Sequence, residues 1–133
     1  MITEDLLEFL NRYAEEMELP TVMLDMIATD KSVALQTITQ PKVEKSYIDG
    51  TRISRYSFRL TIKDKVNQTN SLANIRMLQY LEAFSVLFDG MEEIKISPDI
   101  EVVEAEVSTP SILVREENGM VVYGFTVNMT YKE

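Results

Sequence analysis

From Arg55 to Lys63 the side chains alternate without a break. Tyr56, Phe58, Leu60 and Ile62 are aromatic or aliphatic, while Arg55, Ser57, Arg59, Thr61 and Lys63 are basic or hydroxylated. Successive side chains of a strand point to opposite faces, so the pattern predicts a strand over Arg52–Lys63 with one buried and one open face. Just upstream, Asp49-Gly50 is a two-residue hairpin signal, because a type I′ turn needs positive φ at both positions. A strand sorted this cleanly needs a sheet around it and a layer that covers its apolar side.

The rest of the chain supplies both. Leu6, Leu10, Tyr13 and Met17 recur at helical spacing, widened by Leu7 and Ala14, and predict a helix over Thr3–Met17 with Thr3 as its cap and Glu4 and Asp5 in the first turn. Residues 21–31 are too apolar for a free linker and are expected to pack on the sheet. Strands are predicted over Ser32–Thr39 and Val43–Ile48, broken at Pro41. A second helix is predicted over Asn70–Phe88, capped by Asn70 and closed at Gly90, with Ala73, Met77, Tyr80, Leu81, Phe84 and Phe88 inward. Ile100–Ser108 reads as a strand with Val103, Ala105 and Val107 on one face and Glu104 and Glu106 on the other, ended by Pro110. Ile112–Arg115 and Met120–Tyr131 are expected to pair across Asn118-Gly119, the last strand burying Val121, Tyr123, Phe125, Val127 and Met129. The sum is one α+β domain over residues 1–133. It has a single mostly antiparallel sheet and two helices on one face, in the order α-β-β-β-α-β-β-β.

Composition narrows the chemistry. The 133 residues contain no Cys and no His, so thiolate metal sites, disulfides and the commonest general base are absent. Paired carboxylates such as Asp25 with Asp30, or Glu92 with Glu93, leave acid–base work chemically possible, but nothing else in the sequence supports it and solvated surface charge is the favoured reading. None of the four glycines sits in a phosphate-cradling loop. The expectation is a protein that is not an enzyme and takes no cofactor. The net charge of −9 opposes a grip on nucleic acid, which needs Lys and Arg to neutralise phosphates. No apolar run approaches the ~20 residues that span a bilayer, and the acidic start does not read as a signal peptide, so a cytoplasmic protein is expected.

Surface features point to contacts. Arg55, Arg59 and Lys63 form a basic row that can meet an acidic surface, for instance the Glu104 and Glu106 row of a neighbouring subunit. The same row can instead pair across strands or simply solvate the sheet. On the second helix, Ile75, Gln79, Glu82 and Val86 lie opposite the inward stripe, with Leu72 and Ala83 nearby. A helix apolar on two faces is usually covered on both, here by the first helix or by another subunit.

Three motifs, Tyr47-Ile48-Asp49-Gly50-Thr51-Arg52, Tyr56-Ser57-Phe58 and the closing Thr130-Tyr131, flank the second helix in sequence. In this order the chain resembles the minor capsid or tail-terminator-like proteins of long-tailed bacteriophages and prophages, from about Ser32 to the end. The resemblance implies a ring-forming homo-oligomer, commonly hexameric, closed in solution or only on the tail. Such a ring caps the tail tube and joins it to the head connector. It further implies a place in the host cytoplasm during assembly and in the virion afterwards. The Asp49-Gly50 tip with Arg52 becomes a candidate docking element for tube or connector proteins. Arg55, Arg59, Glu104, Glu106, Ile75 and Val86 become candidate subunit contacts. An acidic lumen would let DNA pass without adhesion. The alternative is a small ligand-binding or regulatory α+β domain unrelated to phage, with a pocket lined by Tyr47, Tyr56 and Tyr123.

Overall fold

The computed structural model describes residues 2–24, 33–65, 71–108, 113–117 and 120–133. Helix α1 spans Ile2–Glu16 and buries Ile2, Leu6, Leu10 and Ala14, a strict every-fourth-residue stripe. Thr3 lies inside its first turn instead of capping it, with its hydroxyl 3.5 Å from that of Tyr56. Met17 falls beyond the end of the stripe and is 54% exposed. The helix stops in a Schellman arrangement: Leu19 N–H donates to Ala14 O at 2.8 Å, and Glu18 sits at φ 56°. Pro20 follows and cannot continue the helix.

Strand β1 (Val22–Leu24) runs parallel to β2 (Val33–Ser46). Three residues of the segment expected only to pack on the sheet are therefore part of it. Asn11 of α1 holds β1 through both backbone groups of one residue: its Oδ1 accepts from Val22 N–H at 2.8 Å and its Nδ2 donates to Val22 O at 3.0 Å. β2 is one strand, not two. Pro41 does not break it but falls where its register with β3 (Arg52–Lys65) slips, between Thr39 and Lys42. Proline is tolerated there because β3 lies on one side only and no described strand pairs with the other side of Gln36–Ser46.

The β2–β3 turn is longer than the two residues expected. Tyr47 N–H donates to Thr51 O at 2.8 Å and Gly50 N–H to Tyr47 O at 3.0 Å, which leaves Ile48, Asp49 and Gly50 as the loop. Only Gly50 has positive φ, at 92°. This matches a three-residue hairpin whose last residue is left-handed. Asp49 closes the turn by accepting from Thr51 N–H at 3.0 Å. That bond holds its carboxyl below the usual carboxylate range.

Helix α2 (Ser71–Phe88) buries Leu81, Phe84 and Phe88 and ends at Gly90, φ 75°. The expected cap at Asn70 lies outside the described residues, as do Pro110, Asn118 and Gly119, and the side chains of Lys63, Leu72, Ala73, Met77 and Val121 lie outside the description as well. β4 (Glu92–Ser97) then pairs with β5 (Ile100–Val107), an element that the sequence patterning did not reveal. β5 buries Ile100, Val102 and Ala105, not Val103. Its phase flips because Val103 is an extra residue against β7 (Met120–Lys132): Val102 pairs with Tyr131 and Glu104 with Thr130. β6 (Leu113–Glu117) pairs with the first part of β7 across two residues, as expected.

The seven strands among the described residues form one mixed sheet in the order β1-β2-β3-β7-β5-β4, with β6 on β7 beside β5. Every pairing but β1–β2 is antiparallel. The architecture is α+β. Buried residues of both helices join one cluster with Tyr56, Phe58, Leu60, Ile62, Phe125, Val127 and Tyr131 from a single sheet face. Ring contacts tie the layers: Phe58 meets Phe88 edge-on at 5.3 Å and Tyr13 meets Phe84 at 5.8 Å. Tyr13 also donates from its hydroxyl to Ala83 O at 3.0 Å, joining α1 to α2.

The opposite sheet face is not open along its whole length. Thr61, expected among the exposed residues, is 2% exposed, and Ala34 and Val122 are buried as well. Thr61 pairs with Gly124, where a Cβ would stand 2.8 Å from Thr61 Cγ2 and 3.1 Å from Leu60 O. Glycine is therefore required there by space, not by backbone angle.

Candidate assembly surface

The polar part of that face follows from register. One row across the sheet reads Lys42, Arg55, Thr130, Glu104, Glu92, each directly opposite the next. The next row reads Thr39, Ser57, Asn128, Glu106, with Ser57 Oγ donating to Asn128 Oδ1 at 2.7 Å. Arg59 extends the basic side opposite Gln36 and Thr126, and is half-buried. Between the basic and acidic sides lies an open groove of about 620 Å³, floored by Ser57, Asn128 and Thr130 and flanked by Arg55, Glu104 and Glu106.

Four of the expected contact residues thus share one face of one subunit. The basic and acidic rows lie two strands apart, about 10 Å at ~4.8 Å per strand. They do not pair with each other. Arg55 Nε instead reaches Glu44 Oε1 at 3.3 Å, the cross-strand outcome weighed from sequence. Glu44, two residues after Lys42 on β2, thus joins the charged face, which its spacing from Lys42 on an alternating strand signals. Both side chains are exposed, so the pair contributes little by itself.

The remaining candidates lie elsewhere. Arg52 is bound to the chain end: its N–H donates to Glu133 O and Glu133 N–H to Arg52 O, both at 3.0 Å, and its guanidinium lies 3.5 Å from Glu133 Oε1. Asp49 and Gly50 sit at the exposed turn beside Ile48, whose side chain is fully exposed. Ile75 and Val86 are on the helix side of the molecule, opposite the Arg55 face. The first helix does not cover them: Ile75 is 47% and Val86 73% exposed.

The pocket of the alternative reading does not form. Tyr56 pairs with Met129 and Tyr123 with Ile62, six positions apart on β3 or about 20 Å, and both are in the core. Tyr47 lies at the far hairpin. Burial pushes the phenol pKa values of Tyr13 and Tyr131 above the ordinary value. Of the carboxylate pairs, Glu92 and Glu93 are exposed on β4, and Asp25 and Asp30 lie outside the described residues. Among the described residues no three acids gather as metal ligands, and no helix is long and apolar enough to cross a membrane. No family model and no curated protein matches this sequence.

Proposed function

We propose that the chain is a virion structural protein of a phage or prophage, a ring-forming tail-terminator or minor capsid subunit that acts through its contacts. The observation that carries this reading is the spatial convergence of the three motifs on which the resemblance rests. Tyr56 pairs with Met129, Arg55 with Thr130 and Ser54 with Tyr131, and the Tyr47–Arg52 turn opens the same strand. Motifs scattered over 85 positions of sequence form one end of one sheet.

Two surfaces suit such a role. The charge-divided face offers complementary halves to neighbouring copies, and Ile75 with Val86 offers an apolar strip on the other side. Rotation that brings unlike surfaces together closes a ring. The exposed Ile48 at the hairpin tip is the element set to touch the tail tube or the head connector. The function involves no catalysis and no cofactor.

The test is genetic and visual. A strain lacking the protein should yield tails of uncontrolled length or unjoined heads and tails, seen by electron microscopy. Arg55→Glu with Arg59→Glu should fold and give the same defect. Normal particles without the protein would remove the terminator role; normal particles with the double variant would remove the basic row from it.

A further inference from the structure

The two flanks of the sheet carry opposite charge. At the β2 flank, Lys42, Lys45 and Arg55 outnumber Glu44, and Ile38 and Val43 are exposed among them. At the β4 flank, Glu92 and Glu93, with Glu104, Glu106 and Asp89 behind them, outnumber Lys95, and Ile94 is exposed. Each flank also holds a like-charge pair directly across strands: Lys42 opposite Arg55, and Glu92 opposite Glu104. Such pairs are unfavourable unless an outside charge offsets them. Arg55 has Glu44; among the described residues Lys42, Glu92 and Glu104 have no ion-pair partner.

We infer that a second copy of this chain supplies the offset: the β2 flank of one copy seats against the β4 flank of the next, head to tail. The inference rests on the ring reading above and names its subunit interface. Lys42 and Lys45 face Glu92 and Glu93 of the neighbour, and Val43 and Ile38 cover its Ile94. The contact is made by side chains and not by an added ladder. Pro41 removes a donor from the middle of β2, the β2 register slips there, and Glu93 at φ 50° kinks β4. Arg12 of α1 bounds the site on the acidic flank by donating to Ile96 O at 3.0 Å. A head-to-tail contact leaves both flanks of every copy engaged only when the chain of copies closes.

Sedimentation velocity of the purified full chain at rising concentration tests this. The unaltered protein should form species larger than a dimer. Lys42→Glu with Lys45→Glu, or Glu92→Lys with Glu93→Lys, should each weaken self-association at least about tenfold, equal to about 1.4 kcal/mol. Mixing the two variants, or combining all four changes in one chain, should restore it. A neutral pair, Lys42→Gln with Lys45→Gln, serves if a reversal does not fold by circular dichroism. A protein that stays monomeric, one that stops at a dimer, or reversals without effect would overturn the inference. Restored assembly beside normal particles from the deletion strain would keep this interface and discard the virion role.

Discussion

Phe84→Ala tests whether α2 is seated as described. Phe84 is 0% exposed, lies in the main cluster and meets Tyr13 edge-on at 5.8 Å. Burying a phenylalanine side chain is worth up to about 3 kcal/mol, of which the alanine methyl keeps about 0.8. Losing the ring pair removes about 0.5–1.5 kcal/mol more. A cavity that cannot collapse adds about 1 kcal/mol, for a total near 3–5 kcal/mol. That is a large part of the roughly 5–15 kcal/mol that holds a domain together. Urea unfolding followed by far-UV circular dichroism should show a lower midpoint with an unchanged slope. Val86→Ala, two positions along the same helix and 73% exposed, should shift stability by no more than about 0.5 kcal/mol. A loss under about 1 kcal/mol for Phe84→Ala, or a larger loss for Val86→Ala, would mean that the helix presents a different face to the sheet.

Gly124→Ala should destabilise by about 1–3 kcal/mol, since its Cβ would meet Thr61 Cγ2 and the Leu60 carbonyl; chemical denaturation reads it, and Thr61→Ser should recover part of the loss. Thr61→Val should stabilise by about 1 kcal/mol in the same assay, because the buried Thr61 hydroxyl has no hydrogen-bond partner. Glu18→Gly should raise stability by about 1 kcal/mol by relieving a left-handed residue at the helix end. Burial raises the folded-state values of Tyr13 and Tyr131 above the ordinary 10.0, so the stability they contribute is complete below pH 10.0 and is lost as pH rises through the folded values; alkaline unfolding should be shallower in Tyr131→Phe.

How much of this was legible depended on whether period and burial agreed. β3 and β7 were readable because aromatic and aliphatic residues hold strict alternation where one face is buried. α1 was readable for the same reason at period four. β4 was not, since Glu92, Glu93, Ile94 and Lys95 are all exposed and only Ile96 is buried, so no alternation marks it. β1 is three residues long and is fixed by a tertiary contact, the Asn11 side chain, that no local pattern records. The bulge at Val103 swapped the faces of β5 midway, which a fixed period of two cannot follow. At Pro41 the edge position, not the residue type, decided that the strand continues. Thr61 has the composition of an open face, yet it is buried. Arg55, Glu104 and Glu106 lie exposed on an outward face, as alternation predicts, and Arg59 is half-buried there. Their arrangement on opposite flanks of one sheet follows from strand order, and strand order is non-local: β7, last in sequence, inserts between β3 and β5.

The closed ring proposed for this chain would be built in a phage particle by contact alone. Cryo-electron microscopy of the head–tail junction of purified particles tests it most directly. The expected result is a ring of copies of this chain at the end of the tail tube, basic β2 flank against acidic β4 flank around the circle, with the Ile48 turn touching a neighbouring ring. Mature, joined particles whose junction and tail end contain no copy of the chain would contradict it.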